Sequence, residues 1–596
     1  MTAKYSIGID LGTTNSALAY SALDAEQPHV ELLEIAQLAA PGTVEERKLL
    51  PSFLYLGTEA DAKAKNFDLP WERKREFAVG EIARRQAAEA PMRTVAAAKS
   101  WLCHSRVDRR QPILPWGAPA EVAKVSPVEA ATRYLQHMAA AWQTKFPDAP
   151  LAKQHVVLTV PASFDAAARE LTHEAALAAG LPKNLVLLEE PQAAVYAWLA
   201  DTGDRWRRQL KVGDVLLVCD IGGGTTDFTL VGVTEEQGEL ALRRMAVGNH
   251  ILVGGDNMDL ALAHLVAGAF GAKGVQLDPW QSVALWHSCR TAKETLLAGG
   301  GPAKHPISVL GRGSKLVKGT VSVEVEREAA AELLIEGFFP FCEAGAEPAK
   351  RRASGFRELG LPFETDTAIT RRLAGFLRAH GDEQGPARPT HLLFNGGVFK
   401  SAALRERLSA VVAGWFGGES PPRGLAGNED LDFAVARGAA YYGFAKQGKG
   451  IRIRGGAARS YYVGVETAGL AVPGAQRPLR ALCVVPMGME EGTETDVPGD
   501  EIGLVVGEPA HFRFFSSAVR TDDRPGVLLG SWTEDELVET DPLVATLPPT
   551  ASAEEGYAPV RFQSKITELG TFELWCQSTT SDDRWKLEFS VRDDAE

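Results

Sequence analysis

Two strand–turn–strand units, each closed by an acid, constrain this chain more than anything else in it. The first is Tyr5 to Tyr20, YSIGIDLGTTNSALAY. Tyr5 to Ile9 is short, apolar and β-prone, which predicts a buried strand. Asp10 ends it, Gly12, Thr13, Thr14 and Asn15 make a tight turn, and Ala17 to Tyr20 returns as a strand. A turn rich in Gly and hydroxyls brings backbone N–H groups close to a phosphate. A carboxylate beside such a turn repels phosphate unless a hydrated Mg²⁺ lies between them. An ordinary Gly hairpin would read the same way, so this stretch alone does not decide. It has a partner, however. Val215 to Val231, VLLVCDIGGGTTDFTLV, ends a buried strand in Asp220, follows it with Gly222, Gly223, Gly224, Thr225 and Thr226, and adds Asp227. Leu392 to Val398, LLFNGGV, is a third version. Chance explains one such turn easily and the set poorly. The pattern predicts two similar lobes closing on one nucleotide.

At 596 residues the chain has room for several domains. Its 45% hydrophobic and 23% charged fractions are those of a globular protein. A net charge of −14 without a basic run argues against nucleic acid as a partner. The N-terminus enters a strand without a leader pattern, and no apolar run is long enough for a bilayer. The six cysteines are scattered and form no CxxC pair, so disulfides and zinc are poor expectations. These features predict a cytoplasmic protein of bacterial style, with no membrane partner.

Between the two units, Gln37 to Lys48 reads as loop, Leu50 to Leu56 as strand, and Glu72 to Ala90 as a charged helix. Ser126 to Phe146 is a helix with Pro127 in its first turn. His155 to Phe164 (HVVLTVPASF) is a buried strand stopped by Pro161. Asp165 is the expected N-cap of a helix ending near Gly180. Leu185 to Leu188 runs into Glu189, Glu190, Pro191 and Gln192, then a helix over Ala193 to Ala200. Two acids there are either capping charge or carboxylates placed in a cleft.

Asp10-Leu-Gly-Thr-Thr-Asn-Ser16, Thr159-Val-Pro-Ala162, Glu190-Pro-Gln-Ala-Ala194, Asp220-Ile-Gly-Gly-Gly-Thr-Thr-Asp227, Gly254-Gly-Asp256 and Asn395-Gly-Gly397 occur in that order. Together they resemble the ATPase domain of the 70-kilodalton heat-shock chaperones, the DnaK family, over about residues 4 to 446. The resemblance implies an α/β fold of the actin and sugar-kinase type, two lobes at about 1–210 and 211–446. A linker over 447–458 and an all-β, sandwich-like peptide-binding domain over 459–596 would follow.

The same resemblance implies ATP or ADP with Mg²⁺, and K⁺ as a further ion. It places Asp10 and Asp227 around the metal and the attacking water, with Asp220 on the opposing lobe, all largely through water. Gly12, Thr13, Thr14 and Asn15 would line the phosphates from one lobe, and Gly222, Gly223, Gly224 and Thr225 from the other. Gly254 and Gly255 open the upper part of the second lobe. Glu190 matches a carboxylate near the metal's water shell. Lys99, within Thr94-Val-x-x-Ala-Lys99, matches a lysine on phosphate and attacking water; composition alone would make it a solvated lysine. Phosphoryl transfer needs positioning and neutralisation more than covalent chemistry, which this set supplies. Pro161 and Arg169 match a relay between nucleotide and domain interface, though alone they read as a strand end and a surface charge.

The chain departs from the family along His287 to Leu297, the helix expected over the adenosine. Where the family has a glutamate, a lysine, an arginine and a serine, this chain has Arg290, Lys293, Glu294 and Leu297. Acid and base have traded places. The expectation is that Arg290 supplies the flat cation for the base from one turn earlier, with Glu294, four residues on, as its partner. A decayed pocket or a different base is the alternative. Val398 and Lys400 stand where the family has serine and arginine, while the Gly396-Gly397 turn is kept. Asp432 matches an acid near the ribose, and helix-terminal charge explains it as well. Cys342 to Arg388, with Lys350, Arg351 and Arg352, reads as an inserted surface element with two helical segments.

Phe433 to Ala445 is a closing helix. Gln447 to Gly456 (QGKGIRIRGG) is a Gly-rich linker in which Ile451 and Ile453 alternate with arginines. Beyond Arg459 the chain reads β: Tyr461 to Glu466, Leu479 to Val485, Ile502 to Val506, Ala510 to Phe515, Pro559 to Thr567 and Trp585 to Val591. No helical lid is expected after it, which predicts fast peptide exchange. Three functions compete. One is an ATP-hydrolysing lidless chaperone for unfolded polypeptide, served by a J-domain co-chaperone and a nucleotide-exchange factor. The second is a nucleotide-gated module for one specific protein partner with little turnover. The third, a metabolic kinase, fits the β-rich C-terminal part least. Monomer is the default state.

Overall fold

The computed structural model describes residues 3–589 apart from 105, 237–238, 250, 310–320, 350–360, 362–363, 384, 418–420, 426, 428–429, 450–452, 454–455, 458, 467–478, 491, 547–556 and 568–571. Two sheets repeat one plan. In the first, the opening strand Tyr5–Asp10 lies between Asn15–Ala22, its antiparallel hairpin partner, and His155–Val160, its parallel neighbour; Val186–Glu189 runs parallel beyond that. In the second, Val215–Ile221 lies between its hairpin partner Thr226–Glu236 and the parallel strand His391–Asn395. Parallel strands packed on both faces need continuous apolar runs, and both runs are buried: Ile7, Ile9, Leu158 and Val160, then Leu216, Leu217 and Val218. Parallel alignment brings strand ends to one edge. Val160 pairs with Glu189, and Asp220 pairs with both Asp227 and Asn395. In open α/β sheets that carboxyl edge is where ligands sit.

The helix Ala434–Phe444 does not belong to the second lobe alone. It packs on the opening strand, where Ser6 Oγ donates to Ala440 O at 2.7 Å, and on the helix Glu190–Thr202. The approach is backbone to backbone. A Cβ on Gly438 would lie 1.7 Å from Ala193 O, and one on Gly8 would lie 2.2 Å from Ala436 O.

Several local expectations need correction. Gln37 to Lys48, expected as loop, is mostly a hairpin, Ile35–Ala40 with Thr43–Arg47, turned at Gly42 in left-handed geometry (φ 70°). The charged helix expected from Glu72 starts only at Glu81; Phe77–Val79 pairs with Leu54–Leu56 instead. The charged run Glu72 to Glu76 just before it masked a short β segment there. The helix Pro279–Leu297 starts earlier than expected because Asp278 and Gln281 form a capping box. Within Cys342 to Arg388, the helix Ile369–Ala379 is not a surface insertion: Ile369, Leu373 and Leu377 are buried in the second lobe's core with Leu230 and Leu392. Arg351, Arg352 and Lys350 lie outside the described residues.

From Ser460 on, every described element is a strand. One sheet runs Leu528–Leu529, Leu479–Val485, Ser460–Glu466, Pro509–Ser517, Val538–Thr546 and Glu588–Phe589. The other is built on Tyr557–Ile566 and Phe572–Ser578. Val538–Thr546 and Phe572–Ser578 are strands the sequence reading missed. Val463, Phe514, Leu543, Val560, Phe562 and Leu574 fill the space between the sheets, as inward-facing residues of a sandwich do.

This β part docks on both lobes. Arg109 and Asp541 form a buried ion pair at 2.7 Å. Arg459 donates to Gly248 O at 2.9 Å and to Asn249 Oδ1 at 3.2 Å. His380 Nε2 lies 3.0 Å from Ala518 O. Ile453, its N–H donating to Tyr196 Oη at 2.8 Å, is buried against the first-lobe helix; Ile451 lies outside the described residues.

Because Gly438 has no room for a Cβ, Gly438→Ala should cost about 2–3 kcal/mol through overpacking. Urea unfolding is the measurement. Gly337→Ala, at a helical glycine with nothing within 4 Å of an added Cβ, should not destabilise.

Candidate functional site

The carboxyl edges of the two sheets face each other across a cleft of about 450 Å³, a volume that suits a nucleotide-sized ligand. Asp10, Gly12, Thr13, Thr14, Asn15, Lys99 and Glu190 line it from the first lobe. Asp220, Gly222, Gly223, Thr225, Gly255, Arg290, Lys293, Glu294, Gly396, Gly397 and Asp432 line it from the second-lobe side. Asp227, Gly224 and Gly254 are not on its surface. Asp227 is buried and accepts from the Ser163 N–H at 3.2 Å. Gly254 donates to Asn257 Oδ1 at 2.9 Å, starting the helix Gly255–Ala272. Gly224 faces the other lobe.

The two turns touch. A Cβ on Gly223 would lie 2.2 Å from Thr14 Oγ1, and one on Gly224 would lie 2.3 Å from Ser100 Oγ. Only glycine permits the lobes to come this close, so the turns are fitted to one another as well as to a ligand.

Lys99 reaches the floor of the cleft from the short helix Ala98–Leu102. The residue before that helix, Ala97, is buried with φ 54°, a left-handed conformation that costs a non-glycine residue about 1–2 kcal/mol. Strain of this kind gathers at functional sites. It turns the chain so that the Lys99 ammonium meets the Glu190 carboxylate in a short ion pair. Asp10 is alongside, 3.4 Å from Thr159 Oγ1.

One ammonium does not balance the acids around it. Burial pushes Asp10 up to about 7; Lys99 opposes the shift and Glu190 adds to it. Burial likewise raises Glu190, against the pull of Lys99. Asp220 is raised well above the carboxylate range by burial, then by Glu190 and Asp227. Burial raises Asp227 too, opposed by its Ser163 hydrogen bonds. Burial alone would lower Lys99, but Glu190 and Asp10 hold it above its usual value. Asp220 Oδ2 is buried and has no hydrogen-bond partner among the described residues. Surplus buried carboxylate with a free oxygen is a site that gains from a further cation. Among the described residues no His, Cys, Asp and Glu cluster converges as a direct ligand set.

The upper wall corrects one expectation. Arg290 is held by acids other than Glu294: its Nε donates to Asp259 Oδ2 at 2.8 Å and its Nη2 to Asp256 Oδ1 at 2.6 Å, with Phe53 and Trp286 packed against the guanidinium. Lys293 pairs with Asp259 and donates to Gly255 O at 2.8 Å. Asp256 and Asp259 lie three apart on one helix, facing this pair. That spacing was readable, and the reading passed over it. Across the cleft Lys400 pairs with Asp432.

Arg169, which the resemblance made part of a relay and which alone reads as a surface charge, is buried. It donates to Glu189 Oε1 at 2.9 Å and to the carbonyls of Phe164 (3.2 Å) and Ala162 (3.3 Å), which flank Ser163. Glu189 also binds Arg244, and Arg244 reaches Gly456 O in the linker. Pro161 begins the loop these bonds fix. Glu189, Arg244 and Ser163 were missed by sequence reading, because each gains its role only when distant segments meet.

Residues 69–333 match the family model described as Hsp70 protein. Among curated proteins, the chain is 32% identical over 275 residues to "Chaperone protein HscA" of Xenorhabdus nematophila, covering 44% of this chain and 38% of that protein. It is 33% identical over 276 residues to "Chaperone protein HscA homolog" of Mannheimia succiniciproducens (44% and 37%). A homolog of the same name in Actinobacillus pleuropneumoniae is 32% identical over 278 residues (44% and 38%). The chain thus matches well under half the length of these relatives.

The charge imbalance makes a prediction for the protein without ligand. Asp220→Asn should raise stability more at pH 8 than at pH 5, since burial and acidic neighbours oppose ionisation of the carboxyl and the amide has none to undergo. The sign follows from linkage: a carboxyl raised in the folded state binds its proton more tightly there, so the native state loses stability as pH rises through that raised value. Thermal unfolding without divalent metal checks it. A gain no larger at pH 8 than at pH 5 would remove the imbalance.

Proposed function

We infer that this Hsp70-like chain, with a two-lobed ATPase part followed by a β domain, is an ATP-dependent chaperone. The observation that carries this reading is one continuous set of contacts. Asp10, Lys99, Glu190 and Asp220 converge between two Gly/Thr turns. From Asp227 a buried line runs through Ser163, Arg169, Glu189 and Arg244 to the linker at Gly456. A cleft that holds nucleotide would thereby be tied to the docking of the β domain. We take residues 1–446 as the ATPase part, 447–458 as the linker and 459–596 as the polypeptide-binding part.

Asp10, Asp220 and, behind them, Asp227 would hold Mg²⁺ through its water shell. When bound, the ion supplies charge neutralisation and orients phosphate oxygens. Lys99 contributes the fixed ammonium that meets charge developing on the transferred phosphoryl group. The backbone of the two turns positions the phosphates. We take turnover to be slow. The β domain takes extended polypeptide along sheet edges, where main-chain groups are free to pair. The name "Chaperone protein HscA", borne by a relative, supports a client polypeptide as partner; a J-domain co-chaperone and an exchange factor belong to the same reading. We place the protein in the bacterial cytoplasm as a monomer. Among the described residues no helix is long and apolar enough to cross a membrane.

Single-turnover hydrolysis of labelled ATP tests the site. Wild type should convert bound ATP to ADP. Lys99→Ala should bind ATP within about threefold of wild type and hydrolyse it about 100-fold more slowly, the loss expected for one preorganised electrostatic group. Equal rates would remove Lys99 from the chemistry. Absence of turnover in wild type with binding retained would leave a nucleotide-gated module.

A further inference from the structure

We propose that residues 521–536 form a strap that fills a polypeptide-binding edge of the β domain, and that an extended client segment binds there by displacing it. The inference rests on the reading of this domain as polypeptide-binding. It names the edge and the segment that occupies it.

Pro509–Ser517 and Val538–Thr546 are antiparallel neighbours, yet no tight turn joins them. The chain between them crosses Ser460–Glu466, pairs with the far edge of Leu479–Val485, and then returns. The pairing is that of an added strand. Leu528 and Leu529 face Leu482 and Ala481, Cys483 N–H donates to Val527 O at 2.8 Å, and Gly526 N–H donates to Cys483 O at 2.9 Å. Side chains alternate accordingly. Val527 and Leu529, with Trp532, pack on an apolar floor of Tyr462, Ala481, Cys483 and Phe515, while Leu528 is 44% exposed. The floor is the outer face of the sheet, because Tyr461, Val463, Leu482 and Phe514 lie in the sandwich core. Main-chain pairing to an edge, with pockets for alternate side chains, is how a sheet recognises extended polypeptide. Here the chain supplies that ligand itself.

The strap is lightly held. From Thr521 to Glu536 no residue is buried, although the floor beneath is. Arg520 ties its two feet together through Asp523 and Glu536, in partly exposed ion pairs that contribute little. Tyr462 Oη donates to Asp523 at 2.6 Å. An element with so few buried groups opens locally before its domain unfolds. Lifting it bares the ladder groups of Leu479–Val485 together with the floor, so another extended segment replaces it better than water does. The segment that fits has apolar residues two apart and a small residue before them. Gly526, at φ 91°, runs so close to Pro498 that a Cβ would lie 2.5 Å from its carbonyl oxygen. The strap also begins near the ATPase part, since Ala518 O lies 3.0 Å from His380 Nε2.

The test is fluorescence anisotropy with the full chain and a labelled peptide copying residues 525–533, PGVLLGSWT. Wild type should bind it weakly, because the tethered copy competes at high effective concentration. Val527→Asp with Leu529→Asp sets carboxylates against the apolar floor and should raise affinity at least about tenfold. Arg520→Ala leaves floor and edge intact, should raise affinity about threefold, and serves if the double variant fails to fold. Leu482→Cys with Leu528→Cys, joined by oxidation across the ladder, should abolish binding until reduced. Equal affinity in wild type, Arg520→Ala and the oxidised pair would overturn the strap. Reduced, carboxymethylated lactalbumin is the second probe. If it binds wild type while no variant takes the peptide, the edge is overturned and the polypeptide reading stands. If neither probe binds any form, both are overturned.

Discussion

The structure depends on an ammonium that is outnumbered. Lys99 sits among the half-buried Asp10 and Glu190 and the buried Asp220, and cannot neutralise them alone. Their raised affinity for protons records the deficit. A folded protein tolerates such a cluster only where function repays it. Here the deficit lies where two sheets bring their carboxyl ends together, between turns whose glycines let Thr14 and Ser100 press against the opposite lobe. The same crowding that makes the acids uncomfortable makes the cleft responsive. A bound cation and phosphate change the charge at the point where both lobes meet.

That point is connected to the β domain by bonds between buried groups. Ser163 holds Asp227, and the loop carrying Ser163 is held by Arg169. Arg169 shares Glu189 with Arg244, whose other bond is to the linker carbonyl of Gly456. Every link is a charge-assisted bond or a backbone contact. Removing Glu189 would leave the guanidiniums of Arg169 and Arg244 without their shared carboxylate, at a cost of several kcal/mol. A small rotation of the lobes would therefore favour rearrangement of the whole set over stretching one bond. Arg109–Asp541 and Arg459 with Gly248 add a second attachment, so the β part is held by both lobes.

Much of this was legible in the sequence, for a physical reason. Phosphate turns demand Gly and hydroxyls in short contiguous runs, so GTTN and GGGTT announce themselves. The helices Pro127–Lys145 and Ala166–Ala178 were equally plain, because Ser126 and Asp165 cap them through their own side chains. What escaped was what depends on distance in space. Arg169 reads as a surface charge until Glu189 and the linker are folded around it. Arg290 was expected to pair with Glu294 from helical spacing. Asp256 and Asp259, from a preceding helix, outcompete that partner because they are buried and each offers an acceptor to a different nitrogen of the guanidinium. The helix Ile369–Ala379 was taken for decoration because its neighbours are charged, while its own apolar face completes the core. Short strands such as Phe77–Val79 carry too little period to be seen.

The central claim is that the cleft is short of positive charge and that Mg²⁺-nucleotide supplies it. Proton release on binding measures this directly. Asp10, held near 7, is partly protonated at neutral pH, and Asp220 and Glu190 are shifted the same way. A bound cation lowers their affinity for protons, so protons must leave as ADP and Mg²⁺ enter. Calorimetric titration at pH 7 in buffers of different ionisation enthalpy gives the number released. Net release in Mg²⁺, reduced in Asp10→Asn, is the predicted result. Binding with no proton release, or with uptake, would show that the acids are already balanced and would contradict the account.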